Sequence, residues 1–458
     1  MTGGVDRRAV MLGTAGVVAG ATYPVRASGK AESHRFVRVQ GTTFTLAGTP
    51  YRYAGANLWY GAWLGADAQS SGQARLPREL NRLAALGIRN LRVLGSAELS
   101  PLKNSITPAF RDKGAAYDER LLRGLDWLLA EMAERDMTAV LYLTNFWEWS
   151  GGMMTYLYWV NGGRYIDMND PAHPWPEFPD WNAAFYGNPA AQVLYRDYIR
   201  AVVTRTNSVT GKCYADDPTI MAWQLANEPR AGGSDAVAVP NLPTFYRWVD
   251  ATARYIKALD PNHLVCTGSE GLKGSIERTD AVAATHRSPA IDYVTCHIWP
   301  GNWSWIDPAA LADSYDAGAA KVADYIAAHV SIAERLHKPL VIEEFGYPRD
   351  GPAAYDPAQS TVFRDRFYRQ IYAAIEADGR RGGPLAGSNF WAWNGEARAA
   401  HPDHRFRRGY TAYMGDPPHE PQGWYGVFDS DASTQAIVCD HGRALARGPL
   451  IRPNGSAG

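Results

Sequence analysis

Short apolar runs alternate along the chain with longer segments whose apolar positions recur three and four residues apart. Eight such runs stand at 52–57, 90–95, 139–145, 220–227, 264–268, 293–297, 340–343 and 388–393. They are nearly continuous in apolar residues, and several end on a polar or aromatic side chain. Strands covered by helices on both faces read this way. The segments between them carry the helical period. In 118–135, Leu121, Leu122, Leu125, Leu128, Leu129 and Met132 share one face. Similar spacing predicts helices over 77–86, 190–206, 244–259, 309–335, 361–375 and 434–446. The first opens on Pro77 and stops at Gly87, residues suited to a helix entry and exit. Segment 274–284 leaves room for only a short helix. Eight strands alternating with helices predict the α/β class, as a (β/α)8 barrel over 51–446. Ahead of it, Phe36, Val37 and Val39, then Phe44, Thr45 and Leu46, flank Gln40-Gly41. Residues 28–50 are therefore expected to form a β-hairpin capping the barrel bottom. Residues 447–458 are expected to be a flexible tail.

Three connections are long: 146–188, 229–242 and 394–433. Each follows a strand, which places it on the C-terminal face, where barrel enzymes build their sites. The first is crowded with aromatic residues, Trp147, Trp149, Trp159, Trp175 and Trp181 among them.

Composition narrows the function classes. The 46 Lys and Arg nearly balance 47 Asp and Glu, so nothing favours capture of nucleic acid or another polyanion. The chain holds 16 Trp and 25 Tyr, whose flat faces suit either a core or the apolar C–H face of a sugar ring. Near the start, Arg7-Arg8 precedes a small, apolar run over 9–23, and Val25-Arg26-Ala27 resembles a cleavage site. Residues 1–27 thus resemble a twin-arginine export signal, implying a secreted or periplasmic protein. Cys213, Cys266, Cys296 and Cys439 match no zinc spacing. Cys266 and Cys296 fall in consecutive predicted strands, leaving both a disulfide and free buried thiols open. His401, Asp403 and His404 are expected to be solvated loop residues, and no metal or cofactor is expected.

Polar residues at the ends of buried strands are costly unless they work or are well paired. Asn227-Glu228-Pro229 ends the fourth run and Glu343-Glu344-Phe345-Gly346 the seventh. Either glutamate alone is compatible with a structural ion pair. Two carboxylates facing each other across one barrel mouth are what glycoside hydrolysis requires.

Taken in order, these motifs resemble glycoside hydrolase family 5, and within it the β-mannanases. The likeness covers about 36–446. It implies Glu228 as acid/base and Glu344 as nucleophile, with Glu343 turned from the mouth if the strand keeps its period of two. It implies that Arg92 holds the nucleophile and that Asn227 donates to the sugar 2-hydroxyl. His297 and Trp299, in the stretch His297-Ile298-Trp299-Pro300, match the sixth-strand histidine and its aromatic neighbour. Trp391 matches the tryptophan under the reacting sugar, and Asn145 and Trp147 lie in a mannanase-like segment. The carboxyl separation for retention is about 5–5.5 Å. The resemblance implies endo-cleavage of β-1,4-mannan by a monomer with no membrane or nucleic-acid partner. Alternatives are exo-release of mannose, another β-glycan such as glucan, and a silent carbohydrate-binding barrel. The last predicts a missing carboxylate, whereas both are present.

Overall fold

The computed structural model describes Met1 and residues 35–66, 72–114, 116–351, 356–409 and 412–447. The export signal expected over 1–27 lies outside the described residues, apart from Met1, as does the tail after Arg447.

Three short strands come first: β1 (Arg38–Gln40), β2 (Thr43–Leu46) and β3 (Thr49–Tyr51). They form an antiparallel sheet, one strand more than a hairpin. The extra strand follows Ala47-Gly48, both with positive φ, a conformation glycine adopts without steric cost. Eight parallel strands follow: β4 (Tyr53–Asn57), β5 (Asn90–Leu94), β6 (Thr138–Tyr142), β7 (Ile220–Gln224), β8 (Leu264–Cys266), β9 (Val294–Ile298), β10 (Leu340–Phe345) and β11 (Leu385–Phe390). Their ladder runs β8-β7-β6-β5-β4-β11-β10-β9. The seam between β8 and β9 is stitched by Asp292, whose amide donates to the Val265 carbonyl (2.8 Å) and whose carboxylate accepts from the Val265 amide (2.6 Å). Higher up, the His297 amide donates to the Glu270 carbonyl at 3.1 Å. The result is the expected (β/α)8 barrel.

The N-terminal sheet plugs the barrel from below. Phe44 is fully buried, stacks at 6.5 Å on Tyr53 and meets Tyr293 edge-on at 5.3 Å. Val37 and Phe44 join Val140, Met221, Leu264 and Val341 in one apolar cluster. Burial of a phenylalanine of this kind contributes about 1.5–3 kcal/mol.

The outer helices are α1 (Gly61–Gly65), α2 (Gly72–Ala85), α3 (Glu119–Ala133), α4 (Gly152–Val160), α5 (Glu177–Asn182), α6 (Pro189–Val203), α7 (Asp235–Leu259), α8 (Thr279–His286), α9 (Leu311–Leu336), α10 (Val362–Arg380) and α11 (Ala432–Ala446). Local chemistry starts several of them. The Asp118 carboxylate caps α3 through the Arg120 and Leu121 amides, and Asn188 caps α6 with Pro189 in its first turn. Two starts differ from expectation. Helix α2 begins before Pro77, and α7 begins at Asp235, capped by the Ser234 hydroxyl on the Val237 amide, with Pro240 and Pro243 inside it. A proline inside a helix removes a donor, yet each of the three lies in the N-terminal half of its helix, where tertiary packing holds the helix despite that loss. The connection expected over 229–242 is thereby cut to 229–234.

The four cysteines are free thiols, Cys266 and Cys296 buried. Among the described residues, no helix is long and apolar enough to cross a membrane.

Candidate active site

A cleft of about 840 Å³ opens at the C-terminal ends of the strands. Asn227, Glu228, Glu344, Trp299 and Trp391 line it, together with Trp147 and Trp149 from the connection after β6.

Glu228 leaves β7 with φ +48°, in the left-handed region. For a glutamate this costs on the order of 1–3 kcal/mol and persists only where the surroundings impose it. Here the Glu228 amide donates to the Gly268 carbonyl (2.9 Å), and the Asn227 amide to the Thr144 carbonyl (2.9 Å). The twist turns the side chain into the cleft. Its Oε1 accepts from His297 Nδ1 at 2.6 Å and its Oε2 from Trp147 Nε1 at 2.5 Å. Burial pushes the Glu228 carboxyl up, but His297 and the nearby Arg230 charge outweigh it and hold the group down at about 2. Burial likewise disfavours charge on His297. The surrounding Glu344, Glu228 and Glu343 carboxylates prevail and keep it well above the ordinary histidine value.

Glu344 ends β10. Its Oε1 accepts from Arg92 Nη1 at 2.5 Å, and its Oε2 from Trp299 Nε1 at 3.3 Å. Arg92 is fully buried in the middle of β5 and spends its guanidinium on four partners: Glu344, Asn57 Oδ1 (3.1 Å), Asn227 Oδ1 (2.7 Å) and Gln224 Oε1 (2.9 Å). Asn227 gives one amide hydrogen to Asn145 Oδ1 (3.1 Å), which leaves the second for a ligand. Donor atoms of Glu228, His297 and Glu344 all lie within 4.8 Å of one another. They are the metal-capable cluster among the described residues, but Arg92 already neutralises Glu344, and His297 Nδ1 is engaged with Glu228. His401, Asp403 and His404 do not make such a cluster; Asp403 pairs with Arg407 (2.7 Å).

The expected site residues therefore converge, in two layers. Glu228, Glu344, Asn227, Trp147, Trp299 and Trp391 face the cleft, whereas Arg92, His297 and Asn145 are fully buried behind its wall. Asn145 reaches no ligand position; its Oδ1 accepts from the Trp147 amide (3.0 Å) and from Asn227. Trp391 meets Trp299 edge-on at 5.9 Å and Trp149 at 6.4 Å.

The strand period fails at Glu343. Along β10 and β9, Ile342 pairs with Cys296 and Glu344 with His297, so Glu343 is an extra, bulged residue. Both glutamates consequently face the barrel interior. The Glu343 carboxylate lies beneath the cleft, accepting from Gln224 Nε2 (2.5 Å) and Tyr293 Oη (3.3 Å), and 3.9 Å from both Arg92 Nε and His297 Nε2. Asn57 and Gln224 were legible only as polar residues inside apolar runs. Further cleft residues carried no local signal. Arg230 bonds Glu270 Oε1 at 2.5 Å and stacks over Trp147 (4.9 Å). His419 lies 3.2 Å from Glu148 Oε1. Burial pushes the neighbouring Glu420 up to about 8, against the pull of His419.

Two glycines fit this geometry. Gly152 has φ +61°, and a Cβ there would sit 2.3 Å from the Asn145 carbonyl oxygen. At Gly346, after the nucleophile candidate, a Cβ would sit 2.5 Å from the Trp299 ring.

Comparison with known proteins agrees with this arrangement. Residues 34–448 match the family model described as GH family 5 beta-mannosidase-like. A putative mannan endo-1,4-beta-mannosidase 9 from Oryza sativa subsp. japonica is 31% identical over 405 residues, which is 85% of this chain and 90% of that protein. The crystal structure of a glycoside hydrolase family 5 mannosidase from Rhizomucor miehei superposes with a TM-score of 0.82 at 35% identity, covering 91% of this chain and 98% of that one. An endo-1,4-beta-mannanase from the same organism superposes at 0.66 with 24% identity over 90% and 99% of the two chains, a likeness of fold.

Proposed function

The chain belongs to glycoside hydrolase family 5, and from that premise we propose that it hydrolyses β-1,4-mannosidic bonds with retention of configuration. The observation that carries this reading is the closeness of Glu228 and Glu344, whose donor atoms fall within 4.8 Å. An oxygen-to-oxygen approach this close favours direct attack by one carboxylate over the wider separation of about 6.5–9.5 Å between the carboxyl groups of inverting enzymes.

In this reading Glu344 attacks the anomeric carbon through Oε2, the oxygen with the longer contacts, while Arg92 holds Oε1. The leaving oxygen takes its proton from Glu228. Water then adds to the glycosyl ester, losing its proton to Glu228 and freeing Glu344. The free cleft keeps Glu228 low beside His297, so the reactive proton belongs to the pair, shared across a 2.6 Å bond. A sugar filling the cleft displaces water and disfavours the ion pair, moving that proton toward Glu228. The spare Asn227 hydrogen serves the 2-hydroxyl, and Trp391 stacks under the ring. Proton NMR of the first product formed is the test: a β-anomer is expected, and an α-anomer would overturn the mechanism.

Endo-cleavage of mannan is the first reading of the mode, supported by the curated relative. Release of single mannose units is the second, favoured by a specific observation. His419 and Glu420, from the long connection before α11, line the catalytic cleft beside Asn302. Early viscosity loss on linear mannan supports the endo mode; free mannose with unchanged viscosity supports the exo mode. The twin arginine at Arg7-Arg8 supports export as part of the same proposal. Exchange of both for lysine in the full chain is expected to retain the protein in the cytoplasm; unchanged export would refute it.

A further inference from the structure

Among the described residues the exposed large aromatic side chains are Tyr165, Trp175 and Trp181, at 40%, 60% and 36% exposure, and all three lie on the connection between β6 and α6. Trp147, which donates to Glu228, stacks on Trp175 at 6.4 Å with the rings 27° apart. Trp175 lines the cleft, and His173 and Glu177, on either side of it in sequence, line a second groove of about 770 Å³. Tyr165, Ile166, Asp180 and Trp181 complete that groove. The two cavities share a rigid wall: the Asp180 carboxylate accepts from the Gly233 and Ser234 amides (2.8 and 2.9 Å) and from the Ser234 hydroxyl (2.7 Å), and Gly233 lines the cleft.

We propose that this groove is a second, non-catalytic binding site for a β-mannan chain, continuous with the cleft through Trp175. The proposal rests on the mannan reading above. Clustered exposed rings are costly in water and mark binding surfaces. Flat indole and phenol faces beside polar rims match a polymer that offers C–H faces and hydroxyls in alternation. The charges here are mixed, Arg164 against Glu177 and Asp180, so a neutral chain fits better than a polyanion. Trp175 stands on the cleft side of the shared wall, and Trp181 and Tyr165 stand on the groove side.

The test uses the full chain carrying Glu344→Ala, with and without Trp181→Ala or Tyr165→Ala, in sedimentation with insoluble linear mannan. Each ring removal is expected to weaken retention about three- to tenfold. Trp181→Tyr, which keeps a ring, is expected to hold most of it. In the active background, cleavage of a short aryl β-mannoside, which does not reach the groove, is expected to stay within about twofold. Unchanged retention in both ring variants would overturn the proposal. So would loss of short-substrate cleavage in Trp181→Ala that Trp181→Tyr fails to restore. If the active protein cleaves manno-oligosaccharides but the Glu344→Ala protein does not bind the polymer, the groove is refuted and the catalytic reading stands. If no mannoside is cleaved, the substrate reading fails first and the groove falls with it.

Discussion

His297 donates from Nδ1 to Glu228 Oε1 across 2.6 Å in a fully buried setting. Each partner moves the other. Glu228 is held at about 2, so its stabilising effect is present above the ordinary value of 4.5 and is lost as pH falls toward 2. His297 is held well above 6.5, so its effect is complete below 6.5 and is lost as pH rises through the folded value. The pair therefore contributes in full between about 4.5 and 6.5. Replacing His297 by Gln is expected to flatten the dependence of Tm on pH on both sides of that window. An unchanged pH–Tm curve would show that the pair carries no such linkage. The same variant is expected to lose on the order of 10²–10⁴ in kcat.

The two glutamates are expected to separate by leaving group. Glu344→Ala is expected to abolish turnover of every substrate. Glu228→Ala is expected to lose about 10²–10⁴ on manno-oligosaccharides, while an aryl mannoside whose leaving group needs no proton still gives a burst of released phenol. Equal loss on both substrate types in Glu228→Ala would remove its assignment as the acid.

Arg92 is the hub behind the cleft, joining Glu344, Asn57, Asn227 and Gln224. Arg92→Ala leaves two buried carboxylates without their cation and is expected to cost about 3–5 kcal/mol of stability. Arg92→Lys keeps the charge but loses the fork that serves several acceptors. It is expected to fold with kcat depressed at least tenfold, measured by denaturant unfolding beside steady-state kinetics.

Glu343 belongs to the buried network but does not line the cleft. Glu343→Gln, which keeps an acceptor for Gln224 and Tyr293, is expected to fold, whereas Glu343→Ala is expected to be destabilised by about 3 kcal/mol or more. If both variants melt like the parent protein, the bulged carboxylate is not part of the framework.

Phe44 tests the plug independently of chemistry. Phe44→Ala opens a cavity under the barrel floor and is expected to cost about 3–5 kcal/mol, while kcat of the folded protein at low temperature stays near that of the parent. A large fall in kcat with unchanged stability would contradict this division.

Much of this molecule is local, and so is legible along the chain. A buried parallel strand must be apolar throughout, so the eight barrel strands were readable with shifts at their ends. The strand-end polar residues Asn227, Glu228 and Glu344 stood out because burial of such groups is costly. Helix starts shifted around proline: Pro77, read as an entry, lies inside its helix, and Pro240 lies inside the helix expected to begin only at Thr244, since only packing tells whether a missing hydrogen bond is tolerated.

What the sequence by itself determined is the barrel, which follows from periodicity, and the two strand ends that carry Glu228 and Glu344, singled out by costly polar residues and by the resemblance of their motifs. Only the tertiary structure decided which residues face the cleft and which stand behind it. Arg92, His297 and Asn145 are positioned by burial that no spacing reveals. The bulge in β10 turned Glu343 inward against the period of two, because register is settled between neighbouring strands and not within one. His419 and Glu420 reach the site from a connection far along the chain, and closure of the ring, not any local pattern, brings them beside Glu148 and Asn302.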